Sequence, residues 1–498
     1  MAGLTDAIGT AQRGLQVVQR RIGTTGHNIA NATTEGFSRQ RAVLQASAPN
    51  VDGTGAIGTG VEQVSVVRIV DEFAQLRLLS ETSRFAGLET HASIYGGVES
   101  ILNDQLSGGL TDELSGFFDA LDDLSNASEP GQPVERGALL ASAESLVDTV
   151  HRFDERLREL QSGADRGITS LIPEVNGLAR QIADLNGRIA EAETRAPAND
   201  LRDQRDRLLL ELAGQMEFST LESDSGMISV RFGGVALVDG RTANELTAVV
   251  DPGSPNAFDP RFAQVFFQGS GSSFDVTDSI RGGELGGLIA ARDDIVGGVI
   301  RDLDAFAFTL AENFNAEHRN GLGLVDGAPH DFFADLSGQP NVNDSARNLR
   351  ISSDVDPAQG GTLDHIATGS VPNPVTGGPG AAPGDLSHVE RLKDLRRGTV
   401  PIYLAGDATG APTGSTRSIS ASLTQLIGDV GQQVRSTERS LEQQQAVLQS
   451  AQDRRDSVSG VSVDEEVAGL VLLQTSFQAN ARVISTVNRL FDDLLAAF

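Results

Sequence analysis

Apolar residues recur at alternating steps of four and three near both ends of the chain. Near the start these positions are Leu4, Ile8, Ala11, Leu15, Val18, Ile22, Thr25 and Ile29. Near the finish they are Val467, Leu470, Phe477, Ala481, Ile484, Phe491, Leu495 and Phe498. This spacing predicts helices that each bury one face against another helix. We predict that the terminal helices pair, with each other or with neighbouring subunits, and that the chain works through this pairing.

Glycines weaken the first of these helices, which we place at about residues 3–31. It contains Gly9, Gly14, Gly23 and Gly26, and each interior glycine costs a helix about 1 kcal/mol relative to alanine. We therefore expect this segment to be disordered in the free monomer and to fold on docking. The alternative is that it folds permanently against its own chain.

Polar residues interrupt the second stripe at Gln474 and Asn488. Two interpretations are equally open. Polar residues at core positions can fix the register of paired helices, or these two side chains are exposed at the edge of the stripe. Just before the stripe, Ser462 to Glu465 has the pattern of a capping box, which predicts that the last helix begins there.

Further heptads predict long helices that pack side by side between about 137 and 189 and again from about 416 to 458. In the first region, a four-residue step after Ala164 predicts a stutter, which locally unwinds a coiled coil. Pro173 should kink this helix or start a new one. The pattern from 71 to 127 is also helical, and 284–320 returns to helix.

Between the helical regions, residues 218–277 contain short β-type runs separated by Gly, Pro, Asp and Ser, which predict a small antiparallel domain. The fold class is therefore mainly α with a β-rich insertion: a long, coiled-coil-like helical bundle built from both ends of the chain, plus small antiparallel β domains. The predicted divisions are an axial helix and extended segment (1–70), a helical rod (71–217), an outer β-rich domain (218–283), a returning rod helix (284–320), a small or irregular outer region (321–415), a further rod helix (416–460) and a terminal axial helix (461–498).

The composition excludes some classes of function. The formal net charge of −29 argues against nucleic-acid binding, because phosphates attract basic surfaces. The same acidity also serves solubility. Without cysteine there is no disulfide and no thiolate metal site. The start lacks the basic and apolar runs of a secretory signal peptide, and no apolar run reaches the roughly 18 residues that span a membrane.

Motifs for catalysis are weak. The seven histidines are scattered without HExxH, and the only lysine, Lys393, follows no phosphate-binding glycine loop. A formal GxGxxG at 53–58 precedes a strand-like run and predicts a glycine hairpin. His330-Asp331, beside two phenylalanines, predicts a packed turn rather than a catalytic dyad. We predict no catalytic, cofactor or metal residues, although 68 acidic residues leave room for a carboxylate pair.

The residues that end the first helix carry a long and specific signature. Asn28-Ile29-Ala30-Asn31 is followed by Thr34-Glu35-Gly36-Phe37 and then Ser38-Arg39-Gln40. This run resembles the N-terminal signature of the flagellar rod, hook and hook-associated protein family. Ser459 to Glu466 and Phe477 to Ile484 are similar to its C-terminal signature.

An internal run narrows the resemblance within this family. Asn199 to Leu209 alternates acidic residues with arginine, a pattern that predicts an ion-paired helical face rather than a metal cluster of Asp200, Asp203 and Asp206. The run resembles an internal motif of the hook-associated protein 1 family. That resemblance implies a structural, non-enzymatic subunit of the hook–filament junction, exported through the flagellar type III path to the outside of the cell.

The resemblance also implies partners and an interface. The partners would be further copies of the chain, the hook protein, the second junction protein and an export chaperone on the C-terminal helix, without cofactor, nucleic acid or membrane insertion. Two other interpretations stay open: another axial component, such as the hook protein or second junction protein, or an axial protein that hydrolyses peptidoglycan. The predicted assembly interface comprises the two stripes together with Asn28, Asn31, Gly36 and Phe37.

Overall fold

A computed structural model describes residues 2–52, 55–102, 109–128, 131–251, 260–269, 271–336, 342–404 and 411–496. The predicted fold class, mainly α with a β-rich insertion, is confirmed. The helices are α1 (Ala2–Ala30), α2 (Glu72–Leu102), α3 (Leu110–Ser125), α4 (Pro133–Glu193), α5 (Asn199–Gln215), α6 (Gly283–Ala290), α7 (Gly297–His318), α8 (Ser345–Asn348), α9 (Val389–Asp394), α10 (Ile419–Ser459) and α11 (Val463–Ala496). A π-helical segment, Ala291–Val296, joins α6 to α7.

The strands form small antiparallel sheets. They are β1 (Gln40–Ala46), β2 (Asn50–Asp52), β3 (Gly55–Ile57), β4 (Val61–Arg68), β5 (Ser219–Glu222), β6 (Ile228–Phe232), β7 (Val235–Asp239), β8 (Thr242–Ala243), β9 (Glu245–Val250), β10 (Ala263–Gly269), β11 (Ser272–Asp275), β12 (Val400–Tyr403) and β13 (Pro412–Arg417). The orders are β1-β4, β2-β3, β5-β6-β7-β8, β11-β10-β9 and β12-β13. The β2–β3 pair is the predicted glycine hairpin, although Gly53 and Thr54 lie outside the described residues.

The chain forms two compact units. The first comprises residues 1–87, 169–286 and 442–498, and the second comprises 88–168 and 287–441. The predicted β domain lies within the first unit, as β5 to β11. Within the described part of the chain, no helix combines the length and apolarity that crossing a membrane requires. The division into seven segments remains a proposal.

The helix α4 is continuous over 61 residues. Pro173 therefore starts no new helix, and it lies on an exposed face. The predicted heptad residues before and after the four-residue step are buried or half-buried, including Ile168, Val175, Ile182 and Ile189. The stutter thus keeps the apolar stripe on one face along the whole helix.

Two asparagines on α4 fix the β sheets of the first unit. Asn176 donates to the Leu246 carbonyl and accepts from the Leu246 amide, both at 2.8 Å, and so holds β9. Asn186 does the same for Ile228 at the start of β6, at 2.7 and 3.0 Å, and also donates to the Gly240 carbonyl. Each side-chain amide pairs buried backbone groups that would otherwise lack a partner.

The core of the second unit contains a cluster of phenylalanines. Four rings are fully buried, with 0% exposure, and their centroids lie 5.0 to 6.0 Å apart: Phe117, Phe314, Phe332 and Phe333. On α7, Asn315 accepts from both the Phe332 and Phe333 amides and donates to the Phe333 carbonyl. This places residues 332–333 against α7 despite their lack of regular secondary structure.

Replacing Gly23 and Gly26 with alanine together should stabilise α1 by about 2 kcal/mol, because each substitution removes about 1 kcal/mol of glycine cost. Both glycines are exposed, and a Cβ at either site meets no atom within 4 Å. Amide exchange of α1 in the full-length protein should slow. The matched control is Gly14→Ala, since its Cβ would lie 2.9 Å from Asn480 Oδ1. Unchanged exchange in the double variant would contradict the prediction.

Candidate assembly interface

The two terminal helices pack against each other within one chain, in antiparallel directions. Shortly after α1 ends, Arg39 bonds Glu466 at the start of α11, with Nε 2.7 Å from Oε1. Halfway along, Gly14 lies against Asn480, where no larger residue would fit without movement. The structure thus shows α1 as a continuous helix packed on its own chain, which is the alternative to disorder in the free monomer.

The predicted stripe of α1 forms its packed face. All eight predicted positions are buried or half-buried, and Ala11 and Val18 are the most enclosed of the apolar ones. The neighbouring Val17 is buried as well. The apolar surface of α1 is therefore largely covered by the chain itself.

The helix α11 uses a different stripe from the predicted one. Its buried and half-buried positions are Glu466, Gly469, Leu470, Leu473, Ser476, Phe477, Asn480, Ala481, Ile484, Val487, Phe491 and Leu494. The two stripes share Leu470, Phe477, Ala481, Ile484 and Phe491, but the structure buries Leu473 and Val487 in place of Gln474 and Asn488. This choice avoids burying two side-chain amides and covers two more aliphatic side chains. Gln474 and Asn488 are exposed in the structure.

As a result, α11 carries more apolar surface than α1 covers. Val467 is 46% exposed and Leu495 73%, whereas Ala481 is half-buried. On the other flank of the packed seam, Val483 is 44% exposed and Leu490 48%. Phe498, the last residue of the predicted stripe, lies outside the described residues.

The segment after α1 is fixed by side chains of its signature. Asn28, 2% exposed, donates to the Gln40 carbonyl at 2.9 Å and accepts from the Gln40 amide at 3.0 Å, which fixes the start of β1. Asn31 donates to the His27 carbonyl and so completes the end of α1. Gly36 adopts a φ of +77°, a conformation that glycine tolerates best. Phe37 is buried with its ring edge-on to His27.

The acidic residues of α5 hold this segment and the β1–β4 pair. Asp203 accepts from the Ser38 amide at 3.1 Å and from Arg68 at 3.1 Å, while Asp206 accepts from Arg68 at 2.5 Å. Asp200 accepts from the Gln40 side chain at 2.7 Å. Asp203 and Asp206 therefore share Arg68, and Asp200 bonds Gln40. The acidic face is ion-paired, as predicted, but its partner Arg68 lies outside α5 rather than on the same helix. Burial raises the pKa of Asp203, against the opposing effects of its bonds to Ser38 and Arg68.

Two arginines of α5, Arg202 and Arg205, bond the end of α4 and the β domain. Arg202 forms two bonds to Glu193 at the end of α4, and Arg205, which is 0% exposed, donates to Asn186 Oδ1 and the Gly226 carbonyl. Burial lowers the pKa of the Arg205 guanidinium to about 10. One helix thus connects the N-terminal signature on its acidic side with the sheets on its basic side.

The C-terminal signature also contacts the segment that follows α1. Ser462 accepts from the Glu465 amide at 3.4 Å, as the capping box predicts, but the Glu465 carboxylate bonds Arg39 at 3.0 Å. The Arg39 amide donates to the Ser459 carbonyl at 2.8 Å, and Arg455 donates to the Phe37 carbonyl. The three motifs that the sequence singles out therefore meet in the first unit. Their mutual contact was not predicted, because residues so far apart in sequence give no local signal of it.

Sequence models of known families cover two of these three motifs, the internal run and the C-terminal signature. A sequence model described as the flagellar hook-associated protein FlgK helical domain matches residues 95–333. A second, described as the C-terminal part of the flagellar basal body rod FlgEFG proteins, matches residues 455–497. The chain is therefore similar to the FlgK family of flagellar hook-associated proteins.

Relatives of the FlgK family match the chain over nearly its full length. Flagellar hook-associated protein 1 of Salmonella typhimurium is 27% identical over 99% of this chain and 100% of its own length. The protein of the same name from Bacillus subtilis is 26% identical over 98% of this chain and 97% of its own length. The structure described as the flagellar hook junction protein FlgK from Burkholderia pseudomallei superposes with a TM-score of 0.59 at 16% identity, covering 77% of this chain and 100% of that one. That structural likeness supports a shared fold.

Proposed function

We propose that this protein is a structural subunit of the junction between hook and filament in the bacterial flagellum, that it assembles through its terminal helices, and that it catalyses no reaction. Similarity to the FlgK family supports this function. The observation that carries the proposed mechanism is the surplus apolar surface of α11, which the paired α1 leaves uncovered. Aliphatic side chains exposed on both flanks of a packed seam suit docking to further helices.

The proposed interface keeps the predicted residues and gives them different tasks. Leu470, Phe477, Ile484 and Phe491 hold α11 against α1 within the chain. Val467 and Leu495 remain available for neighbouring subunits, and Val483 and Leu490 extend the surface on the opposite flank. Burying one such side chain contributes about 1.5–3 kcal/mol, so even a few contacts per subunit, repeated in an assembly, would be stable.

The partners follow from this proposal. Further copies of the chain would form one layer, with the hook protein on one side and the second junction protein on the other. A chaperone that covers the exposed flanks of α11 before export would prevent premature association. The protein would then act outside the cell, in the flagellum, without a cleaved signal peptide.

Aspartate at both Val483 and Leu490 should abolish filament attachment, since a charge at either site leaves a buried carboxylate unpaired on docking. The variant is expressed in cells that lack the native protein, and hooks and filaments are counted by electron microscopy. The control changes Gln478 and Ser485 to aspartate, which adds the same charge at exposed, already polar positions of α11. Unchanged melting of the purified variant shows that the fold is intact. Normal filaments on cells with the Val483/Leu490 variant would refute the proposed interface.

Two other functions have defined tests. In cells that lack the protein, hooks of altered length would favour a hook-protein role. Complete hooks without filaments in those cells would support the role at the junction. Clearing of peptidoglycan in a zymogram of the purified protein, lost on substitution of acidic residues, would overturn the non-enzymatic assignment.

A further inference from the structure

Two histidines and an aspartate meet in the second unit, away from the terminal helices. Asp326 and His330 lie in the turn that follows α7, and His365 ends a short 3₁₀ turn, Leu363–His365. Their ligand-type atoms all lie within 4.8 Å of one another. Asp326 Oδ1 is 3.1 Å from His330 Nε2, and Oδ2 is 3.9 Å from His365 Nε2. One carboxylate thus faces the same ring nitrogen of both histidines.

The other ring nitrogens are held by Asp354. Its main-chain carbonyl lies 2.8 Å from His365 Nδ1, and because a carbonyl only accepts, this nitrogen carries the hydrogen. Its carboxylate lies 3.2 Å from His330 Nδ1, so the His330 ring has a carboxylate oxygen within hydrogen-bond distance of each nitrogen. A neutral imidazole protonated at Nδ1 presents a lone pair at Nε2.

This arrangement places three acceptors together. With both rings in the tautomer protonated at Nδ1, each Nε2 lone pair lies near the Asp326 carboxylate, a repulsive arrangement that a cation between them makes attractive. The two rings stack with centroids 3.9 Å apart and an interplanar angle of 10°, so two protonated, positively charged rings would repel each other at short range. An imidazole binds a metal in the plane of its ring, and these rings are nearly parallel. One ring must therefore rotate for a single divalent ion to contact all three groups.

We propose that Asp326, His330 and His365 bind one divalent transition-metal ion, with Zn²⁺ the ion that best suits the donor set. Two imidazole nitrogens and a carboxylate oxygen are ordinary zinc ligands, at about 2.0–2.2 Å. In a tetrahedron of such bonds the ligand atoms lie roughly 3.3 Å apart, and the observed separations of 3.1 and 3.9 Å bracket that value. All three side chains are half-buried, so the fourth position is open to water.

Asp354 has the role of an outer partner. Metal-bound histidines commonly donate their second ring nitrogen to a carboxylate or backbone carbonyl, which fixes the tautomer and the ring orientation. Here one residue supplies both kinds of acceptor, one for each histidine.

The backbone that carries the ligands is fixed independently of any ion. Buried His318 on α7 donates from Nδ1 to the His330 carbonyl at 2.7 Å and accepts at Nε2 from the Ala367 amide at 2.9 Å. The Leu324 amide donates to the Asp364 carbonyl at 2.7 Å. The two ligand-bearing segments are therefore held together before the ion binds, and the ion would crosslink them further.

The test uses the purified full-length protein after treatment with a chelator. Titration with Zn²⁺, followed by calorimetry, should show one ion per chain, and Co²⁺ should give the visible absorption of a tetrahedral complex. His365→Gln should weaken binding at least about 100-fold, and Asp354→Asn about 10- to 100-fold as an outer-partner change. Asp326→Asn should also remove the cobalt spectrum, and since Asp326 is partly exposed its substitution leaves the fold intact.

The matched control is His151→Gln, which removes a histidine of the same unit that bonds the Leu349 carbonyl. It should bind zinc and cobalt as the native protein does. The proposal is overturned if the native protein binds no stoichiometric ion, or if His365→Gln and His151→Gln bind equally. Equal melting temperatures of the chelator-treated proteins separate lost ligands from a damaged fold.

Discussion

Deleting residues 464–498 is expected to leave a folded, soluble protein that fails to join filaments to hooks. The deletion removes nearly all of α11, including its exposed flanks and Glu466, the buried partner of Arg39. The second unit makes its own core and should keep its melting transition. In the first unit α1 loses the helix that covers Ala11 and Val18, so it should unfold.

Failed attachment of filaments and unfolding of α1 are measured separately. Electron microscopy of cells that produce only the truncated protein should show hooks without filaments. Amide exchange of the purified truncated protein should be fast over 2–30 and unchanged over the described parts of 110–168. Detection of the truncated protein in the medium separates failed assembly from failed export. Filaments of normal number and length would rule out a need for the C-terminal helix.

Replacing Asn186 with leucine should lower the free energy of unfolding by about 3–5 kcal/mol. The side chain is 0% exposed and bonds the amide and carbonyl of Ile228, the Gly240 carbonyl and Arg205. Leucine has a similar volume but leaves each of these groups without its partner, and a buried unpaired group costs about 1–3 kcal/mol. The measurement is urea unfolding followed by circular dichroism, with amide exchange to locate the change.

Asn176→Leu is the matched comparison, because Asn176 lies ten residues earlier on α4 and clamps a different sheet. It bonds only the two backbone groups of Leu246, so its loss should cost less, about 2–3 kcal/mol. Exchange should accelerate mainly over β5 to β8 in the Asn186 variant and mainly over β9 to β11 in the Asn176 variant. If amide exchange accelerates equally over all these strands in both variants, or in neither, these asparagines do not organise the sheets.

The sequence predicts best the elements in which an apolar repeat continues over many residues. In α4 the repeated heptads and the step after Ala164 predict positions that are buried in the structure. Periodicity states which residues share a face, however, and not which helix covers that face. On α11 two stripes share Leu470 and Phe477, and the choice between Gln474 and Leu473 depends on α1, which local spacing does not specify.

Contacts between distant motifs are the part that sequence reasoning misses. Arg39, Asp203 and Glu466 each belong to a recognisable motif, yet their clustering depends on the path of the intervening chain. The same holds for the proposed metal site. The i, i+4 spacing of Asp326 and His330 is visible in the sequence, but His365 is 35 residues further on, and only the fold brings it to them. The expectation of no metal ligand rested on the lack of a short motif.

The antiparallel pairing of α1 and α11 also decides where the chain can carry a label. Gly14 is about 18 Å of helix from residue 2, and Asn480 about 24 Å from residue 496, and these two residues lie side by side. Both tips therefore come to the same end of the helix pair, within about 6 Å along its axis. A fluorescent donor on one tip and an acceptor on the other would report opening of the pair as a loss of energy transfer, and a bulky fusion at either tip would occupy the same space.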